Sequence, residues 1–158
     1  MSFMNSLRDW SRGDYMGRFW CLFRLRNRCK NKFFKNILTL ILNRRAHRHG
    51  GYVGNGAIIE GEPSLPHGLH GVFISRYAKI GEGCRIYQNV TIGEVNHKAP
   101  EIGKNCFIGS GAVIVGDIKI GDNVKIGAGA VVFKDVPEGA KVLSPEPRVI
   151  LREEEYDR

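Results

Sequence analysis

The sequence reads ISRYAK-IGEGCR-IYQNVT-IGEVNH over residues 74–97 and IGKNCF-IGSGAV-IVGDIK-IGDNVK-IGAGAV-VFKDVP over residues 102–137. An aliphatic anchor residue opens each hexad, and a second small or branched residue follows four places later in most of them. A period of six fits neither an α-helix nor a simple alternating strand. It is typical of a hexapeptide β-helix, in which each hexad contributes one short strand and one corner.

This spacing also predicts how the core is built. The anchors and the residues four places after them are expected to point inward, so that successive coils stack into one narrow aliphatic column. A β-sandwich with glycine-rich turns is the alternative, but its strands would not keep one spacing through ten hexads. We therefore expect an all-β solenoid, a left-handed parallel β-helix of a little over three coils, with the stretch from Val53 as a candidate for one more. Positive φ angles are predicted at the corner residues Gly83, Asn105, Gly111, Asn123 and Gly129.

The 158 residues carry a net charge of +8, and the excess lies at the N-terminus. Residues 1–49 contain 12 Lys and Arg against 2 Asp, whereas residues 50–158 contain 12 against 14 Asp and Glu. We predict a basic amphipathic helical arm over 1–49, with helices around 15–28 and 31–45, a left-handed β-helix domain over 50–143 and a C-terminal tail over 144–158.

Three interpretations of this arm are open. The helices could pack onto the first coil or a neighbouring subunit through their apolar side. They could rest on anionic lipid, because Trp, Phe and Arg together suit that boundary. Nucleic-acid binding is the third interpretation, although no recognition module accompanies the charge.

The four cysteines do not form a C-x-x-C motif, so a zinc site is not expected. Cys84 and Cys106 fall on inward positions, where a thiol acts as a small apolar filler. This usage fits a reducing compartment, and the first fifteen residues do not read as a secretory signal. We expect a cytoplasmic protein that the arm could hold at the inner face of a membrane.

Histidines occur at the two places where the period fails. His67 and His70 lie in LPHGLHG (65–71), just before the strict repeat, and His97 lies in EVNHKAPE (94–101), which spans a four-residue insertion. Histidine can take and return a proton near neutral pH, and loops on a rigid scaffold commonly carry such groups. Each histidine could instead be an ordinary surface residue.

The stretches LPHGLHGVFIS, AKIGEGCRIYQNVTIG, EIGKNCFIGSGAVIVGDIKIGDNVKIGAGAVVFKDVP and PRVI together resemble the hexapeptide-repeat acyltransferases. The resemblance covers over half of the chain. It is strongest to serine acetyltransferase-like enzymes, and among them to the branch that O-acetylates sugars of bacterial surface polysaccharides.

The resemblance implies roles for all three histidines. A histidine before the G-[IV]-x-I segment acts as general base on the acceptor hydroxyl in such enzymes, and His67 matches it best. The loop from His67 to Gly71 is one residue longer than in the serine acetyltransferases, and His70 is a rival. His97 corresponds to a histidine that holds the acceptor in the serine enzymes and is the base in the galactoside branch. Without a Ser or Cys nucleophile beside a base, direct transfer is expected.

Acetyl-CoA is the implied co-substrate, and no metal is implied. In this family it lies in a groove between adjacent solenoids, where small residues admit the pantetheine chain and cations meet the phosphates. The corresponding residues are Ser110, Gly111, Ala128, Lys134 and Arg148. Tight corners alone are the alternative explanation for Ser110 and Ala128.

Some features depart from the family pattern. The chain reads Ser144-Pro-Glu-Pro-Arg148 where relatives have Gly-x-Pro-Ala-Arg/Lys, and Gln88-Asn89 replaces a pair that often contains histidine. Only the arm stands where serine acetyltransferases have a long helical domain, which argues against free serine and against a hexamer.

We therefore expect an acetyl-CoA-dependent O-acetyltransferase that acts on a sugar of a surface polysaccharide or its precursor. Its site would lie between the subunits of a homotrimer. A serine O-acetyltransferase of cysteine biosynthesis and a non-catalytic trimeric solenoid scaffold are the alternatives.

Overall fold

The structure is a computed structural model that describes residues 16–149. Two helices come first, α1 (Gly17–Arg28) and α2 (Lys32–Arg48), close to the predicted ranges. The Asn31 side chain caps α2 by accepting from the amides of Phe33 and Phe34, at 2.9 and 3.3 Å. The first fifteen residues of the predicted arm and residues 150–158 of the predicted tail lie outside the described residues. Within residues 16–149, neither helix has the length and apolar character needed to cross a membrane.

Thirteen short strands follow in the described part of the chain, arranged as three parallel sheets. Sheet 1 contains β1 (Tyr52–Val53), β3 (Phe73–Ile74), β6 (Thr91–Gly93), β9 (Val113–Val115) and β12 (Val131–Val132). Sheet 2 contains β2 (Ile58–Ile59), β4 (Lys79–Ile80), β7 (Glu101–Ile102) and β10 (Lys119–Ile120). Sheet 3 contains β5 (Arg85–Ile86), β8 (Phe107–Ile108), β11 (Lys125–Ile126) and β13 (Lys141–Val142). Because the chain returns to sheet 1 four times, the solenoid has four turns, and the predicted β-helix fold is confirmed.

The strand register places anchor upon anchor. Ile74 pairs with Ile92 and Ile92 with Ile114, and the anchors of the other two sheets stack in the same way. These isoleucines are almost completely buried, each at a gain of about 1.5–3 kcal/mol over exposure. One coil cannot bury its own apolar face, so stacking and burial depend on each other.

The two inward cysteines also lie in this column. Cys84 and Cys106 are buried, and each thiol donates to a glycine carbonyl of the next coil at 3.2 Å. The hydrogen bond with Cys106, together with burial, raises the pKa of the Cys84 thiol. Cys84 therefore stays protonated at neutral pH and packs as a small core residue.

The predicted corner residues are confirmed as left-handed. Their φ angles lie between 55° and 75° at Gly83, Asn105, Gly111, Asn123 and Gly129. Asn89 has φ 58° and is a further corner of this kind, which the sequence analysis did not predict. Gly109 is required for a different reason, because a Cβ there would lie 2.6 Å from the amide nitrogen of Ala128. The coils therefore approach closely at this corner.

The four-residue insertion forms a small hairpin at the side of the solenoid. Val95 and Lys98 exchange backbone hydrogen bonds of 2.8 and 3.1 Å. Asn96 and His97 between them have φ 52° and 63°, as the two central residues of a type I′ turn require. The insertion therefore carries His97 outward at the tip of a tight turn.

The helices pack onto the first coil through their inner faces, as the first interpretation of the arm predicts. Phe19, Trp20 and Phe23 of α1 belong to the same continuous core as Leu42 of α2 and the solenoid. The Arg26 guanidinium donates to Thr39 Oγ1 at 3.0 Å and also contacts the Asn55 carbonyl oxygen. These contacts connect the two helices to each other and to the first coil.

Candidate active site

The sequence-predicted site residues lie on two edges of the triangular solenoid. We call the edge between sheets 3 and 1 the small-residue edge; its segments are 65–72, 87–90, 109–112 and 127–130. We call the edge between sheets 1 and 2 the insertion edge; its segments are 54–57, 75–78, 94–100, 116–118 and 133–136. The small-residue edge carries His67, His70, Ser110, Gly111 and Ala128, whereas the insertion edge carries His97 and Lys134.

Backbone hydrogen bonds stack the small-residue edge coil upon coil. Ser110 is half-buried, while Ala128 one coil further is exposed, so the edge offers a narrow strip of backbone with little side chain over it. Such a strip lets a flexible ligand chain approach the backbone closely. The stack is made by the amides of Asn89, Gly111 and Gly129, which donate to the carbonyl oxygens of His70, Gln88 and Ser110 at 2.9, 3.0 and 2.9 Å.

His67 and His70 differ in what their rings contact. The exposed His67 ring lies beside the Tyr87 ring on the same edge, with 5.8 Å between centroids. The His70 ring instead packs edge-on against His49 at the end of the arm, at 5.0 Å. Both histidines are exposed on the small-residue edge, and they differ in that the His67 ring lies beside Tyr87 whereas the His70 ring lies beside the arm.

His97 projects into solvent from the insertion hairpin, and its side chain is 82% exposed. Its Nδ1 lies 4.0 Å from Glu94 Oε1, and its ring packs edge-on against Tyr77 at 5.6 Å. The other carboxylate oxygen of Glu94 accepts from Ser75 Oγ at 2.5 Å. Glu94 is therefore held where its second carboxylate oxygen can orient the His97 ring. The sequence predictions missed Glu94, although its position three residues before His97 was a signal.

The two predicted phosphate-binding cations lie apart from the small-residue strip of their own chain. Lys134 is exposed on the insertion edge of the last coil, with its Nζ 5.9 Å from the Phe133 ring centroid. Arg148 is exposed in the tail, four residues after Ser144, whose hydroxyl donates to the Ala128 carbonyl at 2.5 Å. The C-terminal tail therefore begins beside Ala128, in the last coil of the small-residue edge.

Gln88 is a second residue that the sequence predictions missed as part of the site. Its Oε1 is buried and has no hydrogen-bond partner among the described residues. It lies on the small-residue edge directly after Tyr87, whose ring contacts His67. A buried acceptor without a donor marks a place where a ligand or water is expected to donate. Within residues 16–149, no cluster of His, Cys, Asp or Glu is arranged to hold a metal ion.

Comparisons with known proteins agree on the kind of protein that this chain is similar to. Residues 99–134 match the family described as bacterial transferase hexapeptide (six repeats). Serine acetyltransferases of Staphylococcus aureus and Staphylococcus epidermidis are each 41% identical over 69 residues, which make up 41% of this chain and 32% of the relative. The chain thus spans about a third of the length of the curated relatives it matches.

Solved structures extend the similarity to most of this chain. Serine acetyltransferase isoform 3 of Entamoeba histolytica, in complex with cysteine, has 30% identity and a TM-score of 0.72. It matches 85% of this chain and 50% of its own. The serine acetyltransferase of Neisseria gonorrhoeae, in complex with serine, has 30% identity and a TM-score of 0.71, and matches 82% of this chain and 55% of its own. The structural similarity therefore extends well beyond the 69 residues of the sequence match.

Proposed function

We propose that this chain is an acetyl-CoA-dependent O-acetyltransferase with His67 as its general base. The observation that carries the proposal is the small-residue edge, where an exposed histidine stands at one end of a stacked strip formed by Ser110 and Ala128. The narrow strip has room for the pantetheine arm of coenzyme A along the backbone. The histidine lies where the acetyl thioester at the end of that arm would react. The similarity to serine acetyltransferases in sequence and fold supports the same activity.

The proposed chemistry is a direct transfer. The acceptor hydroxyl oxygen attacks the thioester carbonyl carbon while His67 takes the hydroxyl proton. The tetrahedral intermediate then expels the coenzyme A thiolate, and the imidazolium returns the proton to the sulfur. Cys84 and Cys106 are buried, with thiols that donate to backbone carbonyls, so neither is a candidate nucleophile. Cys21 and Cys29 belong to the arm and not to the small-residue edge, so we propose a transfer without an acyl-enzyme.

The outward surface of sheet 1 supports a site shared between copies. The outward positions of sheet 1 are apolar except for Thr91: Tyr52, Phe73 and Val131 are exposed, and Val131 is 59% exposed. The outer sides of the other sheets are largely charged, with Lys79, Glu101 and Lys119 on sheet 2 and Arg85, Lys125 and Lys141 on sheet 3. An apolar face next to two charged ones is typical of a surface that is covered in an assembly.

The candidate residues of one chain are divided between the small-residue edge and the insertion edge. A homotrimer with sheet 1 toward its threefold axis would bring these two edges together from neighbouring copies. Sheet 1 is bordered by the two edges that carry the candidate residues, so the insertion edge of one copy would lie beside the small-residue edge of the next. His97 would then face the neighbour's base and hold the acceptor. Lys134 follows β12 and Ala128 precedes it, so the cation stands level with the far end of the strip, where the phosphates are expected.

L-serine is the acceptor that we propose first. The sequence led us to expect a sugar hydroxyl, but the similar proteins above are serine acetyltransferases, so the comparisons support the serine alternative better. A polysaccharide sugar is the second candidate acceptor. The family resemblance described above supports it, because the spacing from His67 to Gly71 departs from the pattern of the serine enzymes.

The experiment is a thiol-release assay on purified full-length protein. Acetyl-CoA is supplied with L-serine, with a panel of sugars, or with no acceptor, and the acetylated product is identified by mass spectrometry. We expect thiol release that depends on L-serine and yields O-acetylserine. Thiol release that occurs with a sugar and not with L-serine would identify the sugar as the acceptor. A rate that never exceeds the acceptor-free rate would favour the non-catalytic scaffold and contradict the proposal.

A further inference from the structure

The outward face of α2 carries an apolar stripe that the solenoid does not cover. Phe33 and Leu40 are 68% and 69% exposed, and neighbouring apolar side chains extend the exposed surface between them. Spacings of four, seven and eight residues place most of these side chains on one side of the helix. We call this surface the α2 stripe; it consists of Phe33, Phe34, Ile37, Leu40 and Ile41.

The opposite side of α2 is held in place, so the helix cannot turn to hide the stripe. Leu42 and Ala46 are buried in the core that the helices share with the solenoid. Thr39 accepts from Arg26 of α1, and Asn43 accepts from Asn55 Nδ2 of the first coil at 3.4 Å. A helix that is apolar on both sides requires a second apolar environment in addition to its own core.

The distribution of charge along the chain indicates which second environment the α2 stripe contacts. Residues 16–49 contain ten Lys and Arg and no acidic residue, whereas residues 50–149 contain ten of each sign. Arg44 and Arg48 continue the face of Ile37 and Ile41 at helical spacing, and both are exposed. Pairing two copies through the stripe would bring these cations together without carboxylates to neutralise them. A polyanion such as RNA would satisfy the cations but would leave the apolar stripe in water.

We infer that the α2 stripe docks on the surface of an anionic lipid bilayer. The apolar side chains enter the boundary between headgroups and acyl chains, while Arg44 and Arg48 contact lipid phosphates. The helix lies along the surface, and the bonds from Arg26 and Asn55 fix the solenoid relative to it. This inference goes beyond acetyl transfer, because it concerns where the protein works.

Flotation with lipid vesicles tests the inference without relying on activity. Full-length protein is mixed with vesicles of phosphatidylcholine alone or of phosphatidylcholine with phosphatidylglycerol. We expect flotation with the anionic vesicles only, weakened by added salt. Phe33→Ser/Leu40→Ser and Arg44→Glu/Arg48→Glu should each reduce the bound fraction at least about tenfold, since both apolar burial and charge contribute to such binding.

The matched control is Lys125→Glu/Lys141→Glu, which makes the same charge change on the outer side of sheet 3. It should float like the wild type, and circular dichroism and thermal melting should show that all variants are folded. If the wild-type protein does not float with anionic vesicles, the inference is overturned. It is also overturned if the Phe33→Ser/Leu40→Ser variant floats as well as the wild type does. A stripe variant with an altered subunit number in sedimentation would assign the stripe to a second copy instead. Binding to an RNA duplex that is unaffected by the stripe variant, without vesicle binding, would also contradict it.

Discussion

His67 and His97 lie on different edges of the same solenoid, on the two sides of sheet 1. The coils between them are fixed by stacked isoleucines and parallel strand pairs, so the two imidazoles of one chain stay on opposite sides of this sheet. If both histidines act in one reaction, the second must come from a neighbouring copy.

Replacing His67 should remove the base. We expect His67→Ala to lower the turnover by about 10²-fold or more, the usual contribution of a positioned acid–base group. The matched control is His70→Ala, because His70 is exposed on the same edge but its ring contacts His49 of the arm. Thiol release at saturating acetyl-CoA and acceptor measures both. Normal turnover in His67→Ala with a large loss in His70→Ala would reverse the assignment.

His97 can be replaced without disturbing its turn. Its φ of 63° suits asparagine, which tolerates the left-handed region better than alanine does. We therefore expect His97→Asn to melt with the wild type and yet turn over about 10²-fold more slowly, because the acceptor is no longer oriented. Thermal melting and initial rates separate the two effects. A His97→Asn enzyme with wild-type rates would remove His97 from the reaction.

The strip of small residues should be sensitive to added bulk. Ala128→Leu places a large side chain where the pantetheine arm is proposed to lie, at a steric cost of about 1–3 kcal/mol, so the KM for acetyl-CoA should rise about tenfold or more. Glu138→Leu, at an exposed position on the edge between sheets 2 and 3, is the control and should leave the KM unchanged. Initial rates measured against acetyl-CoA concentration give the KM of each variant. Equal KM values in both variants would place the cofactor elsewhere.

The left-handed corners make a prediction about stability alone. Asn123 is exposed and has φ 59°, so its side chain contributes little packing. Asn123→Gly should keep the wild-type free energy of unfolding within a few tenths of a kcal/mol, whereas Asn123→Val should lose about 1–2 kcal/mol. Urea unfolding measures the difference. Valine as stable as glycine at this position would show that the corner is not strained.

The period of six predicted much of the fold because it records a repeated physical requirement. Each anchor must point inward and each corner must turn, so the spacing alone assigns Ile74, Ile92 and Ile114 to the core. Asn89 was missed because its hexad, IYQNVT, has no glycine after the anchor to mark a corner. The turn at Asn96 and His97 was also missed, since it depends on a hairpin inside the insertion and not on the repeat.

The division of the site was only partly predictable. Lys134 follows Ser110 by 24 residues, which is one coil plus one hexad, so the period itself places the two on successive edges. The contact between His70 and His49 could not be read from the sequence, because it depends on how the arm meets the first coil. The exposure of the α2 stripe also depends on that packing, since both sides of α2 are apolar in the sequence.

Complementation between inactive variants tests the central claim most directly. His67→Ala and His97→Ala proteins are unfolded together, refolded as a mixture and assayed for thiol release from acetyl-CoA with the accepted substrate. If the site joins His67 of one copy to His97 of the next, about a quarter of the interfaces in a random mixture contain both histidines, and about a quarter of the wild-type rate should return. Mixed oligomers that are no more active than the two variants alone would contradict a shared site.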